Sequence, residues 1–215
     1  MGERRVSRRG FLKAGAAAAV APLVIPGEVL GATAPSGKLT MAFIGTGNNG
    51  LNWMPRFMND PRVRVVAVCD VNREGPGYWD GSVRGREVGR RMVNEHYKDE
   101  ICAAYTDFRE VLDRDDIDGV YISTPDHWHA VIAIAAARKG KHIYCQKPLS
   151  LTIGEGRRMS DEVRKAGVTF QTGSQQRSDS NFRRACELVL NGRIGKLHTV
   201  RCGLPGGTPD FGKTA

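Results

Sequence analysis

Residues 39–50 read LTMAFIGTGNNG. A short, mostly apolar run, Leu39 to Ile44, passes straight into the spaced glycines of Gly45-Thr46-Gly47-Asn48-Asn49-Gly50. A lone G-x-G-x-x-G is a weak signal, because 26 glycines in the chain make chance matches plausible. Its setting gives it force. A strand-like run precedes it, and a helix-compatible stretch with Leu51, Met54 and Phe57 follows. In that setting each glycine has a task. The first makes a tight turn, the second admits a pyrophosphate to the backbone, and the third lets helix and strand pack closely. The helix N-terminus then offers unpaired N–H groups and a positive dipole end to the phosphates. Pro55 falls inside that helix, where proline costs roughly 3 kcal/mol, so the helix kinks there or stops early.

Working outward, a valine-rich run, Val63 to Cys69, ends at Asp70, 20 residues beyond Gly50. A carboxylate there accepts hydrogen bonds from a ribose 2′-hydroxyl and repels a 2′-phosphate, which favours NAD. Arg73 would reverse the preference by pairing with that phosphate, so NADP is the alternative. Further strands are predicted at Val120–Ser123, His142–Cys145 and Val168–Thr172. Asp107, with Glu110 three residues on, is a capping pair opening a helix over Phe108–Leu112. A second helix spans His129–Arg138, with Gly140 as its left-handed cap. Short apolar runs without strict alternation suit strands covered on both faces. The fold class expected is α/β, a Rossmann-type doubly wound parallel sheet with right-handed crossovers. A Gly-rich insertion between Asn72 and Gly85, holding Tyr78 and Trp79, predicts a loop or a lid.

Ligands of such sheets sit outside the carboxyl ends of the strands. Here those ends read Ser123-Thr124-Pro125-Asp126-His127-Trp128-His129, then Gln146-Lys147-Pro148, then Gly173-Ser174-Gln175-Gln176. All would gather on the edge that carries the glycine loop, and Lys147 would lie where a cofactor's reactive ring comes to rest. His127 and His129 are two apart and share no helix face, so a metal pair is not expected; one of them lining the cofactor pocket is. Trp128 reads equally as core or as ring-stacking partner. Gln175 and Gln176 are candidates for polar contact with cofactor or substrate.

At these residues the chain resembles the Gfo/Idh/MocA oxidoreductases. The likeness covers about residues 39 to 202. It rests on the glycine loop, Val68-Cys69-Asp70-Val71-Asn72, the Ser-Thr-Pro-x-x-x-His segment ending at His129, and Lys147-Pro148. The resemblance implies a nicotinamide cofactor and hydride transfer at a sugar or cyclitol hydroxyl. It implies that Lys147 assists proton transfer beside the nicotinamide, and that Pro148 follows a cis peptide bond. The cofactor-contacting set it completes is Gly45, Thr46, Gly47, Asn48, Asn49, Gly50, Asp70, Arg73, Thr124, Pro125, His127, His129, Gln146, Lys147, Pro148 and Gln175. The family usually has Glu-Lys-Pro; this chain has Gln146 instead. Glutamine can still hydrogen-bond a nicotinamide ribose but lacks the charge that would favour a protonated lysine.

The chain carries a formal net charge of +9. Residues 1–34 supply +3 of it, through Arg4, Arg5, Arg8, Arg9 and Lys13 against Glu3 and Glu28. Elsewhere the basic residues, such as Arg84, Arg86, Arg90 and Arg91, alternate with Glu87 and Glu95, the pattern of a solvated helix face rather than a nucleic-acid stripe. Ser7-Arg8-Arg9-Gly10-Phe11-Leu12-Lys13 has the twin-arginine pattern. The apolar stretch behind it, about 12 residues, is short of the roughly 20 that span a bilayer. Ala32-Thr33-Ala34 offers a cleavage site. The expectation is export, already folded, by the twin-arginine machinery to the periplasm or cell envelope. The five cysteines show no C-x-x-C spacing and read as mostly buried thiols, with no zinc site.

The expected organisation is a signal peptide over residues 1–34, a dinucleotide-binding domain over 35–178 and the incomplete start of an α+β second domain over 179–215. That start comprises a helix at Ser180–Leu190, Gly192 as its cap, and a strand at Lys196–Cys202 whose unpaired edge invites aggregation. No histidine follows His198, so the family's second-domain catalytic histidine has no counterpart, and a truncated product or fragment that binds dinucleotide but catalyses poorly is expected. A homo-oligomer of the longer form fits the same expectation. The rivals are a non-catalytic secreted module binding a dinucleotide or sugar and, less favoured, a nucleic-acid binder.

Overall fold

The computed structural model describes residues 37–76 and 81–203. The twin-arginine segment, the cleavage site, Tyr78 and Trp79 lie outside the described residues. By contact density the chain divides into two units, the first ending at Thr172 and the second beginning at Gly173.

In the first unit strands and helices alternate: β1 (Leu39–Ile44), α1 (Asn48–Met58), β2 (Val63–Cys69), α2 (Arg86–Tyr97), β3 (Ala103–Tyr105), α3 (Phe108–Leu112), β4 (Gly119–Ile122), α4 (Asp126–Arg138), β5 (His142–Gln146) and α5 (Ile153–Ala166). β6 (Phe170–Gly173) completes a six-stranded sheet in the order β3-β2-β1-β4-β5-β6. The pairings β1–β2, β1–β4, β2–β3 and β4–β5 are all parallel. The doubly wound α/β sheet anticipated from the sequence is therefore present. The chain order reverses between β1 and β4, which opens a crevice above the carboxyl ends of those two strands.

The sheet is buried on both faces because its strands send apolar side chains both ways. Met41 and Phe43 of β1 join Leu51, Met54 and Met58 of α1 and Val93 of α2 on one face. Ala42 and Ile44 join Ala130, Ala133 and Ala137 of α4 and Met159 of α5 on the other. Small alanines on α4 let that helix lie close to the sheet. In β2 the register slips against β1, so that Val66 is skipped between the pairs Met41–Val65 and Ala42–Ala67. The slip resets the alternation and lets Val66 and Ala67 both face the α4 side.

Several expectations need correction. α1 does not stop early; it runs through Pro55 to Met58. Burial of Met54 and Met58 against the sheet holds the turn that contains the proline. β3 was not anticipated, since three residues carry no readable period, and neither was α5, although a full Thr152–Glu155 capping box opens it. Asp107 caps α3 by accepting from the Arg109 amide at 2.9 Å, without a reciprocal bond from Glu110. The second unit holds a 3-10 turn (Gln175–Ser178) and α6 (Ser180–Leu190), whose N-cap Asp179 accepts from the Asn181 amide at 2.8 Å. The strand predicted at Lys196–Cys202 is absent, and with it the exposed edge. No described neighbour there supplies ladder partners for its backbone. No helix among the described residues is long and apolar enough to cross a membrane.

Candidate functional site

The site begins where β1 stops. Gly45 has φ +94°, and a Cβ there would lie 2.6–2.7 Å from the Ser123 and Thr124 backbone. At Gly50 a Cβ would sit 2.0 Å from the Gly45 carbonyl oxygen. Both positions exclude any side chain, so the loop folds back tightly on β1 and against the end of β4. The α1 N-cap is Gly47, with no side-chain cap and no acidic residue in the first turn. The N-terminal amides of α1 are therefore left to whatever anion arrives, whereas α3 and α5 cap themselves with Asp107 and Thr152.

Asp70, at the end of β2, holds this loop from the side. Its Oδ2 accepts from the Thr46 amide at 2.7 Å and from the Thr46 hydroxyl at 3.1 Å; its Oδ1 accepts from the Asn72 amide at 2.9 Å. The carboxylate is half-exposed and keeps lone pairs for a ribose diol. Arg86, the first residue of α2, clasps the same turn by donating to the Asp70 and Val71 carbonyls at 3.1 and 3.0 Å. Ser123 ties the end of β4 to the loop, its hydroxyl donating to the Gly45 carbonyl at 2.8 Å. The sequence reading missed the roles of Arg86 and Ser123, since nothing in their local pattern marks them. At the base of the insertion between Asn72 and Gly85, Gly75 and Arg84 form an antiparallel bridge, and the Gly85 amide donates to the Thr46 carbonyl at 3.2 Å.

At the far side of the crevice the Lys147–Pro148 bond is cis, as the resemblance implied. Lys147 is exposed, and no hydrogen bond or ion pair holds its ammonium among the described residues. His129 is buried in the first turns of α4 and donates from Nδ1 to the Pro148 carbonyl at 2.5 Å. A carbonyl can only accept, so Nδ1 carries the proton, and the ring's other nitrogen is Nε2. That Nε2 is buried without a partner among the described residues. The Thr124 hydroxyl, the Gln146 Oε1 and both side-chain amide atoms of Asn48 are likewise buried and unpartnered. An orphaned buried polar group costs about 1–3 kcal/mol, so this many around one crevice is the signature of a place built for a polar ligand.

The remaining candidates divide. Pro125 is the N-cap residue of α4, and His127 and Trp128 are exposed on its first turn. Trp128 is not core; it makes an edge contact with Phe108 at 6.2 Å. Arg73 is exposed and followed by Glu74, whose carboxylate is bound by Arg91 at 2.7 Å. Gln175 lies in the 3-10 turn of the second unit, its Nε2 buried and unpartnered. Cys69, Cys102 and Cys145 are buried free thiols, each pushed up to about 12 by burial; Cys186 and Cys202 are exposed. Among the described residues no three or more His, Cys, Asp or Glu side chains gather as a metal site would require.

Residues 39–174 match the family described as the oxidoreductase family with an NAD-binding Rossmann fold, Gfo/Idh/MocA. The chain belongs to that family. Among its Gfo/Idh/MocA relatives, a myo-inositol 2-dehydrogenase of Thermotoga maritima is 40% identical over 98 residues, 46% of this chain and 29% of the relative. An α-N-acetylgalactosaminidase of Shewanella oneidensis is 31% identical, covering 89% of this chain and 44% of its own length. A crystal structure of myo-inositol 2-dehydrogenase from Lactobacillus plantarum aligns with TM-score 0.61 at 27% identity, over 74% of this chain and 43% of that one. The chain thus spans under half the length of these relatives. The orphaned polar atoms, the excluded Cβ positions and the uncapped α1 amides all fit the dinucleotide that the family's Rossmann fold binds.

Proposed function

We propose that the chain is the cofactor-binding part of an NAD-dependent oxidoreductase that transfers hydride at a carbinol carbon of a sugar or cyclitol. The observation that carries this reading is the set of buried, unpartnered polar atoms of Asn48, Thr124, His129 and Gln146 at the carboxyl ends of β1, β4 and β5, next to an unengaged Lys147. The dinucleotide, when bound, would supply the hydride acceptor at the nicotinamide C4 for oxidation, or in its reduced form the hydride donor for reduction. The protein supplies the rest. The glycine loop and the α1 amides hold the pyrophosphate, and Asp70 takes the adenosine ribose diol and disfavours a 2′-phosphate. His129 holds the Pro148 carbonyl and with it the turn that presents Lys147. The Lys147 amine exchanges the proton of the substrate hydroxyl as the carbinol is oxidised or the ketone reduced.

A second reading comes from the Shewanella relative, an α-N-acetylgalactosaminidase similar over 89% of this chain, which favours a glycoside as substrate. We further propose that residues 1–34 form a signal, that the dinucleotide domain covers 35–178, and that the protein leaves the cytoplasm folded by the twin-arginine route with dinucleotide already in place.

Titration calorimetry with NAD and NADP tests the core of this reading. NAD binding in the micromolar range and tighter than NADP is expected; binding of neither at millimolar concentration overturns it. Lys147→Ala should keep NAD affinity within about threefold and lower any turnover of myo-inositol or of an N-acetylgalactosaminide by at least about 100-fold. A binding module would be indifferent. Protein recovered from the periplasm should release NAD on denaturation, as read by mass spectrometry.

A further inference from the structure

Gln146 is where this chain departs from its family, and its side chain is not spent on solvent. It is 3% exposed. Its Nε2 donates to the Tyr121 hydroxyl, and that hydroxyl donates onward to the Asn49 Oδ1 at 3.0 Å. Asn49 is the second residue of α1, inside the glycine loop; Gln146 is the residue before Lys147. Tyr121 stands between them on β4, paired in register with Phe43 of β1 and Tyr144 of β5. Its ring is stacked on Phe43 at 4.6 Å and on Tyr144 at 5.0 Å, with the Phe57 edge at 5.2 Å. The stack fixes the phenol, so its hydroxyl cannot turn away to find another partner.

The direction of the chain follows from the chemistry of its members. A phenol has one O–H to donate. Here the Asn49 carbonyl oxygen receives it. The phenol oxygen must then accept, and the Gln146 amide can supply that donor where an ionised glutamate could not. With its NH2 committed to Tyr121, Gln146 leaves Oε1 buried and bare, as an acceptor for a ligand hydroxyl.

We infer that Tyr121 is a positioning residue: the donor chain Gln146 to Tyr121 to Asn49 locks the glycine loop to the Lys147 turn, so that cofactor binding depends on the residue at 146 through the phenol. This rests on the dinucleotide reading above. The titratable groups around position 146 are the Tyr121 and Tyr144 phenols and the Cys145 thiol, all shifted upward by burial, together with Lys147 and, across Pro148, His129. Lys147 and His129 are common to every variant below, so differences between variants isolate residue 146.

The test is NAD affinity by calorimetry from pH 5 to pH 9 for the 215-residue chain and for Tyr121→Phe, Gln146→Glu and the double variant. Tyr121→Phe, which keeps the ring and its stack, should weaken NAD about tenfold at every pH. Gln146→Glu should bind about tenfold more weakly than wild type at pH 9 and recover at pH 5, where a protonated carboxyl again donates to the phenol. In the double variant the pH-dependent gain should vanish. Tyr121→Phe within twofold of wild type, or Gln146→Glu tracking wild type across the range, overturns the relay. A pH response that persists in the double variant assigns it to direct contact between residue 146 and the ligand, and also overturns it. Wild-type protein that binds no dinucleotide overturns the site reading itself, a separate outcome.

Discussion

The glycine loop and the Lys147 turn stand at the same edge of one sheet, yet they are held in opposite ways. Around the loop the protein satisfies the turn itself, leaving open, among the described residues, only the Asn48 side-chain amide and the N-terminal amides of α1. Asp70 accepts from Thr46 and Asn72, Ser123 donates to the Gly45 carbonyl, and the two glycines are packed so tightly that no Cβ fits. Around Lys147 the backbone is braced by His129, but the functional atoms have nothing to bind: the ammonium is unengaged, and His129 Nε2, Thr124 Oγ1 and Gln146 Oε1 are orphaned. Within one site, the protein itself fixes the backbone of the end proposed to take the phosphates and leaves more side-chain atoms open at the end proposed to face the substrate. An end that only binds gains from rigidity, because order established before binding is not lost during it. An end that must follow a reacting group keeps polar atoms unspent.

Substitutions can break or sharpen that contrast. Gly50→Ala should have the largest effect. Its Cβ would meet backbone at 2.0 Å, so the loop must open, with NAD affinity falling more than about 100-fold and stability by about 3 kcal/mol in urea unfolding. Asp70→Ala follows, removing the acceptor of two backbone amides. It should lower stability by about 2 kcal/mol and weaken NAD roughly 30-fold.

Base titration probes beneath both ends at once, because Cys69 precedes Asp70 and Cys145 precedes Gln146. Burial raises each thiol from 9.0 to about 12. Between those values the unfolded thiol has lost its proton and the folded one has kept it, so stability falls as pH rises from 9 towards 12. Each thiol contributes a loss of about 1.4 kcal/mol by pH 10. Cys69→Ala and Cys145→Ala should each make the alkaline slope shallower by that amount; a slope unchanged in both would contradict the burial. Lys147→Ala comes last, with stability within about 0.5 kcal/mol of wild type by thermal or urea unfolding. A loss comparable to that of Asp70→Ala would erase the contrast.

Much of this was legible along the chain. Two strands, β1 and β2, are where their apolar runs place them, because a buried parallel strand needs apolar side chains on both faces and shows it as a continuous run. The glycine loop and Asp70 were legible because a tight turn tolerates few residue types. Tyr121 was not: in Gly-Val-Tyr-Ile it looks like one more strand residue, and its role depends on Asn49, 72 positions away, and Gln146, 25 positions away. β3 was hidden by its brevity, and Lys196–Cys202 looked like a strand because local propensity does not report whether a pairing partner exists.

The linear order of residues therefore settled the elements that depend on near neighbours: the doubly wound succession of strands and helices, the steric need for glycine, and a lysine followed by proline at the end of β5. Tertiary structure alone decided which polar groups meet and which stay unpaired. It set the His129 proton on Nδ1, committed Asp70 to the loop, and ran the hydrogen bonds from Gln146 through Tyr121 to Asn49. The reason is physical. Steric exclusion and hydrophobic period act over a few residues, whereas a hydrogen bond requires its donor and acceptor about 3 Å apart, and only the packed sheet brings distant segments that close.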